Sequence, residues 1–364
     1  MAAASAVDTT WNGAGRLRGV DLARGLAVLG MLAAHLLDIP EGEWSRPETW
    51  GDIVNGRSSI LFATLAGVSI GLVSGGPEPL ATGPRLRRVR WAIGIRAALL
   101  WLIGMLLIAT GVPVYVILPA YAVLFLLALP LLRWRARRLW TLAAGLAFVM
   151  PWLQPAFAAL PVWDGDVGEE ISLAVGWHYP VTVWVAFLVA GLALARSDLT
   201  AARTQLRTLG AGAVLAAVGY GVAATTSDLG EPYLAAVLTA RPHSSGLGEV
   251  VGSGGFALAV IAGCQLLCRS AAASAVALPL RAVGSMPLTA YAGQIVVWAL
   301  VAAVALGDVS DLAGMIDLHL FGAFALGTIV FCTAWALLVG RGPLESGVAA
   351  AVRWIMPLRV RLAA

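Results

Sequence analysis

Arg18-Gly19-Val20-Asp21-Leu22-Ala23-Arg24-Gly25-Leu26-Ala27, continuing through apolar residues to His35, decides how this chain is read. The stretch is apolar enough to cross a bilayer, yet it carries Asp21, Arg24 and His35. Ionisable groups inside a span are costly and are functional candidates by default. Arg24 and His35 are eleven residues apart, about three helical turns at roughly 100° per residue, so both face the same way, about 16 Å apart. Asp21, three residues before Arg24, is placed for a local ion pair. One face of one helix therefore carries a charge pair near one membrane surface and an imidazole near the other. Imidazole is the natural general base near neutral pH.

The rest of the chain agrees with a membrane setting. Of its 364 residues 60% are hydrophobic and 12% charged, with a mean hydropathy of +0.85. A soluble domain of this size cannot hide so much apolar surface. Ten apolar segments are predicted, near 20–38, 57–75, 91–110, 112–132, 139–158, 180–195, 208–225, 250–268, 284–306 and 319–340. The expected fold is therefore an all-α polytopic bundle. A short disordered arm is expected over 1–15, one transmembrane domain over 16–340 and an interfacial tail over 341–364. The tail mixes Trp354, Ile355, Met356, Leu358 and Val360 with Arg353, Arg359 and Arg361, as a segment lying on an anionic leaflet would. Pro357 interrupts any helix there.

Charge fixes the expected direction of crossing. With the N-terminus inside, the cytoplasmic connections hold 19 of the 24 Arg residues against four acids, Asp8, Glu78, Asp198 and Glu345. The opposite connections hold 15 acids against Arg46, Arg57 and Arg241. Arginine excess marks the cytoplasmic side, so both termini are expected there. Asp21 and Arg24 then sit at the cytoplasmic end of the first span. His35, His178, His243 and His319 all fall toward the outer side.

Other polar residues divide by side. Arg85, Arg88 and Arg90, with Arg96 deeper in the third span, suit a phosphate-rich donor, because guanidinium pairs phosphate bidentately. Without such a donor the cluster reads as ordinary positive-inside signal, except for Arg96, which needs a partner or an aqueous cavity at its depth. Asn55 and Arg57 open the second span on the outer side, where they either line an acceptor site or anchor the helix. His178, and His243-Ser244 with Glu249, bring further imidazoles and a carboxylate to that face. Tyr291 and Gln294, one turn apart, either hydrogen-bond a substrate or join neighbouring helices. Cys264, Cys268 and Cys332 lie in apolar segments and read as packing residues; no metal site is expected.

The block Arg18 to Ala27 resembles the opening of the transmembrane acyltransferase superfamily. That superfamily includes heparan-α-glucosaminide N-acetyltransferase-like proteins, the YeiB-like proteins and the acyltransferase-3 enzymes. The Arg24-x10-His35 spacing resembles the acyltransferase-3 motif, whose histidine acts as the base. Asn55 to Ile70, with Ala66-Gly67-Val68-Ser69, is similar to the second helix of the heparan-type and YeiB-like members. Pro242-His243-Ser244 with Glu249, and Gly342-Pro343-Leu344-Glu345, resemble YeiB-like segments. Two departures stand out: Gln294 replaces a histidine common among YeiB-like relatives, and heparan-type enzymes keep no histidine at the place of His35.

The resemblance implies an acyl-CoA-dependent membrane enzyme, acetyl-CoA being the expected donor. It would move the acyl group to a hydroxyl or amine of an extracytoplasmic glycan or lipid-linked sugar. His35, Arg24 and Asp21 would form the catalytic set. Arg85, Arg88, Arg90 and Arg96 would hold the donor. Asn55, Arg57, His178, His243, Ser244, Glu249, Tyr291 and Gln294 would surround the acceptor. A multi-pass protein of a bacterial plasma membrane is expected, with membrane lipids and the glycan as partners, self-association into a homodimer left open and no nucleic acid. The rival class is a transporter or flippase, which would favour charges near mid-span, broken helices and repeat symmetry.

Overall fold

In the computed structural model the described residues are 13, 15–40, 42, 46–226 and 230–356, and expectations for residues 1–12, 14 and 357–364 lie outside them. The described residues contain no strand. In chain order the helices are α1 (Arg18–Leu36), α2 (Arg57–Val73), α3 (Pro84–Ile108), α4 (Leu118–Ala128), α5 (Ala136–Ala158), α6 (Gly165–Val175), α7 (Val181–Ala195) and α8 (Ala202–Thr225). They continue as α9 (Pro232–Leu238), α10 (Leu247–Leu267), α11 (Ala271–Val276), α12 (Leu278–Ser285), α13 (Pro287–Ala305), α14 (Leu312–Asp317), α15 (Phe321–Leu338) and α16 (Pro343–Ile355).

Among the described residues eight helical segments are long and apolar enough to cross a membrane: α1, α2 with the 3-10 turn before it, α3, α5, α8, α10, α13 and α15. Two shorter apolar segments, Leu118–Arg133 and α7, complete the ten expected spans. The protein is an all-α polytopic membrane bundle. α1, α2 and α10 are mostly enclosed, whereas α5, α8 and α15 present most of their surface outward. The apolar runs drive this arrangement, because a helix satisfies its backbone groups within a single segment inside hydrocarbon. α5 stays continuous through Pro151 and Pro155.

Small residues set the closest crossings, as expected where packing replaces a hydrophobic driving force. A Cβ on Gly67 would collide with the Leu188 carbonyl, and one on Gly191 with that of Thr64, which brings α2 and α7 nearly into backbone contact. Gly25 and Gly284 do the same for α1 and α12.

Arg196, following α7, is buried and ties three helix ends together. Its guanidinium donates to the carbonyls of Gly71, Gly76 and Leu132 and to Ser74 Oγ, each at 2.7 Å. Backbone oxygens thus take the place of a counter-ion. Burial lowers its pKa to about 10, and it stays protonated at neutral pH.

Two lengths position the site. The segments Leu118–Arg133 and Val181–Ala195 reach only roughly 22–26 Å, short of a hydrocarbon core about 30 Å thick. The N-terminal ends of α4 and α7 are joined where Tyr179 Oη donates to the Tyr115 carbonyl at 2.9 Å. The connections that precede both helices carry Tyr115, Trp177 and His178, which line one cavity; non-helical backbone within a membrane bundle is tolerated where it lines a cavity.

Candidate active site

At the arginine-rich end of α1, Asp21 is 2% exposed and lies between two guanidinium groups. Arg16 Nε donates to it at 2.5 Å and Arg24 Nη1 at 3.1 Å. Arg24 Nη2 also reaches across to Ser69 Oγ on α2 at 2.8 Å. The expected Asp21–Arg24 pair therefore exists, but it is a triad with Arg16, which the sequence reading did not include. Loss of Arg24 would not strand Asp21, because Arg16 remains.

One turn from Ser69 along α2, Val73 enters the wall of a cleft of about 560 Å³. Arg88 and Arg96 of α3 line it, facing Arg341 and Arg353. Arg341 is close enough to Arg96 for their charges to repel. Among the described residues no carboxylate lines this cleft. Four guanidinium groups without a local anion make it a place for a multiply charged one. Arg85 and Arg90 are not part of its wall. Arg341 and Arg353 were missed because the tail read as a segment lying on the membrane. In the structure Glu345 also anchors α16: its carboxylate accepts from Leu288 N at 2.8 Å, Thr289 N at 3.1 Å and Thr289 Oγ1 at 2.6 Å, capping α13. The Gly342-Pro343-Leu344-Glu345 motif was the available signal, and its role is to dock the helix.

At the other end of α1, His35 is half-buried, makes no hydrogen bond to a described residue and interacts electrostatically with His243. His243 and His178 line a pocket of about 440 Å³. The His178 ring stacks on Tyr115 with 3.5 Å between centroids, and His243 meets Tyr179 edge-on at 5.6 Å. Burial lowers the pKa of both histidines, helped for His243 by repulsion from His178 and opposed for His178 by Glu169. Both are therefore neutral at pH 7, the form that accepts a proton.

Glu249 shapes this pocket without lining it. Its buried carboxylate accepts from His243 N at 2.6 Å, Ser245 N at 2.7 Å and Ser244 Oγ at 3.3 Å. His243 and Ser245 are left-handed, with φ of 60° and 57°. Such backbone is costly for residues with a Cβ and clusters at functional sites. Arg57, beside this loop, donates to Tyr220 Oη at 2.8 Å and to the Asp52 carbonyl at 2.7 Å. Asn55 Nδ2 donates to Asp52 Oδ1 at 2.7 Å. Both are thus held in a rim network.

Tyr291 and Gln294 stand apart from this pocket. Tyr291 Oη accepts from Ile117 N at 3.3 Å, and Gln294 Nε2 donates to Thr328 Oγ1 at 3.3 Å. Here both act as links between helices. Gln154, Tyr115 and Trp177 line the pocket and were not anticipated. Gln154 alone offered a signal, as an amide between two prolines in an apolar span. Among the described residues no cluster of three His, Cys, Asp or Glu groups is arranged to hold a metal.

Residues 16–223, more than half of the chain, match the family model described as heparan-alpha-glucosaminide N-acetyltransferase, catalytic. The chain belongs to that family. It is accordingly a multi-pass protein of a membrane acetyltransferase family, and the matched region holds α1, the arginines of α3 and the pocket-lining residues from Tyr115 to Pro180. Residues 194–354 also match a protein family of unknown function, DUF418. That second match covers the Glu249 loop, α13 and α16. No curated protein matches the chain.

Proposed function

We propose that this protein takes an acetyl group from acetyl-CoA on the arginine-rich, cytoplasmic side and transfers it to an acceptor entering the histidine-lined pocket from the other side. One arrangement supports this reading: the arginine-lined cleft and the paired Arg24 lie toward one end of α1, and His35, which makes no hydrogen bond to a described residue, lies near the other. Arg88 and Arg96, joined by Arg341 and Arg353, would hold the CoA phosphates. Arg24, about one turn deeper than the cleft wall and linked to Ser69, would guide the pantetheine arm. Beyond it about 16 Å of α1 remain to His35, and the extended arm can carry its thioester along that path.

At the far end the imidazole of His35 would take the proton of the acceptor as it attacks the thioester carbonyl. His243 lies beside it, and Tyr115, His178 and Ser244 complete the acceptor pocket. Under this reading the two short spans, Leu118–Arg133 and α7, would bring the acceptor nearer the donor. Neither partner then has to cross the full hydrocarbon thickness. An acceptor on a glycan or lipid-linked sugar suits a pocket at the outer end of a membrane bundle.

The test is His35→Ala in the purified full-length protein. Acetyl-CoA binding should persist while transfer slows by about 10²–10⁴-fold, the usual worth of a positioned base. Undiminished transfer would remove His35 from the mechanism and make His243 the next base to examine.

A further inference from the structure

The two ends of α16 are held unequally. At its start Trp335 Nε1 donates to the Arg341 carbonyl at 3.0 Å and Leu344 N to Thr289 Oγ1 at 3.1 Å, beside the Glu345 cap on α13. Toward its far end the helix rests on α3 through a small apolar cluster, where Val352 and Met356 meet Ile95 apart from the main core. Of the 13 residues of α16 only Ala349 and Val352 are buried. Glu345, its one acidic residue, is engaged at the fixed end. A helix anchored at one end and thinly covered at the other opens locally with ease.

That thinly held end carries charge into the arginine cleft. Arg353, in the last turn of α16, lines the cleft together with Arg88 and Arg96 of α3. Among the described residues none of Arg88, Arg96, Arg341 and Arg353 forms an ion pair or donates a side-chain hydrogen bond, and Arg341 repels Arg96. Val89 and Ala92 of α3 and Ala349 and Val352 of α16 line the same cleft, so the two helices are its walls. Arg88 and Arg96 are eight residues apart, about 12 Å along α3, which puts cations at two levels. Bringing the walls together gathers like charges unless an anion lies between them. A phosphate group accepts from two guanidinium groups at once and can join one from each wall.

We infer that α16 is the movable wall of the donor site and that the donor's own phosphate groups clamp it to α3, Arg353 sharing one with Arg88 and Arg341 another with Arg96. The inference rests on the acyl-transfer reading above and adds to it how the donor is held and selected. With the cleft empty, the far end of α16 opens while Glu345 keeps its start in place. With the donor bound, the four cations have their counter-ions and the helix closes. The two levels of charge also set the donor class. CoA carries phosphate in two places, its diphosphate and its 3′-phosphate, and bridges both levels. A pantetheine carrier with phosphate in one place reaches one level and leaves the far end of α16 open. Arg353 is thus a selectivity residue for the donor.

The experiment uses the full chain in phosphatidylcholine nanodiscs, with CoA and dephospho-CoA as probes and hydrogen exchange with mass spectrometry as the readout. Saturating CoA should slow exchange of amides 348–355 by at least about tenfold and leave amides 288 and 289, held by Glu345, unchanged. Dephospho-CoA, which lacks the 3′-phosphate, should bind about tenfold more weakly and protect 348–355 less at saturation. Arg353→Gln keeps most of the aliphatic stem and loses the charge. It should weaken CoA by about tenfold and abolish the protection, with exchange in the empty protein no faster than in the wild type. A merely structural arginine would instead loosen the empty protein. CoA that binds by calorimetry yet leaves 348–355 unchanged overturns the inference, as does faster exchange in empty Arg353→Gln. Protection by phosphatidylglycerol in the nanodisc, to which CoA adds nothing, overturns it too and assigns the cleft to a lipid headgroup. Radiolabelled acetyl-CoA separates the two readings. Protection of α16 without transfer to any acceptor counts against acyl transfer alone, and transfer with α16 exchange unchanged counts against this inference alone.

Discussion

Replacing Glu249 by alanine should release the loop that holds His243 and leave the bundle folded. The carboxylate accepts from two backbone N–H groups at 2.6 and 2.7 Å. Charge-assisted bonds of this kind contribute about 1.5–3 kcal/mol each, so about 3–6 kcal/mol together. They hold two left-handed residues, His243 and Ser245, whose strain is about 1–2 kcal/mol apiece. In the variant the loop can relax and recover that strain. Global stability should therefore fall by only about 1–2 kcal/mol, while local opening becomes easier by most of the bond energy. Hydrogen exchange with mass spectrometry is the assay. Amides 243 and 245 should exchange at least about a hundredfold faster, with α8 and α10 little changed. Glu249→Gln, which keeps one good acceptor, should fall between. Unchanged exchange at 243 and 245 would refute the reasoning, and so would equal loosening of α8 and α10, which would make Glu249 a core element.

Two further outcomes follow from the ends of the molecule. At the cleft, Arg96→Leu and Arg341→Ala should each weaken CoA binding about tenfold by calorimetry, whereas Arg85→Ala and Arg90→Ala should change it little; equal effects of all four would remove the cleft as the donor site. At the pocket, His178 and His243 have pKa values below the ordinary 6.5 because burial disfavours the cation. The unfolded chain then binds protons first as pH falls, so their contribution is complete above about pH 6.5 and is lost below it. Thermal unfolding should show the melting temperature dropping from pH 7 toward pH 5, and His243→Gln should flatten that slope.

Much of the fold was legible because hydrocarbon permits few solutions. Each apolar run became a helix, and the phase of Arg24 and His35 survived because both lie on α1. What was not legible came from contacts between distant segments. Arg341 comes near Arg96 where α16 docks, its Glu345 capping α13, and nothing in the tail's amphipathic pattern distinguishes docking on protein from lying on lipid. Tyr115 and Trp177 reach the pocket from connections between helices, where no periodicity guides the eye. Tyr291 and Gln294 show the reverse, since polar residues in a span serve packing as readily as chemistry. Arg16, outside the quoted block, mattered because a buried carboxylate with one guanidinium still has lone pairs to satisfy.

The most direct measurement is sided transfer in proteoliposomes. Radiolabelled acetyl-CoA is supplied only on the side of the arginine cleft, and a glycan-bearing acceptor is enclosed on the other. Label should appear on the acceptor without acetyl-CoA crossing the membrane, and it should fall by about 10²–10⁴-fold in His35→Ala. Wild-type protein that binds CoA in the cleft yet transfers no label to any acceptor, or transfers it only when both substrates share a side, would contradict a reaction carried across the bilayer along α1.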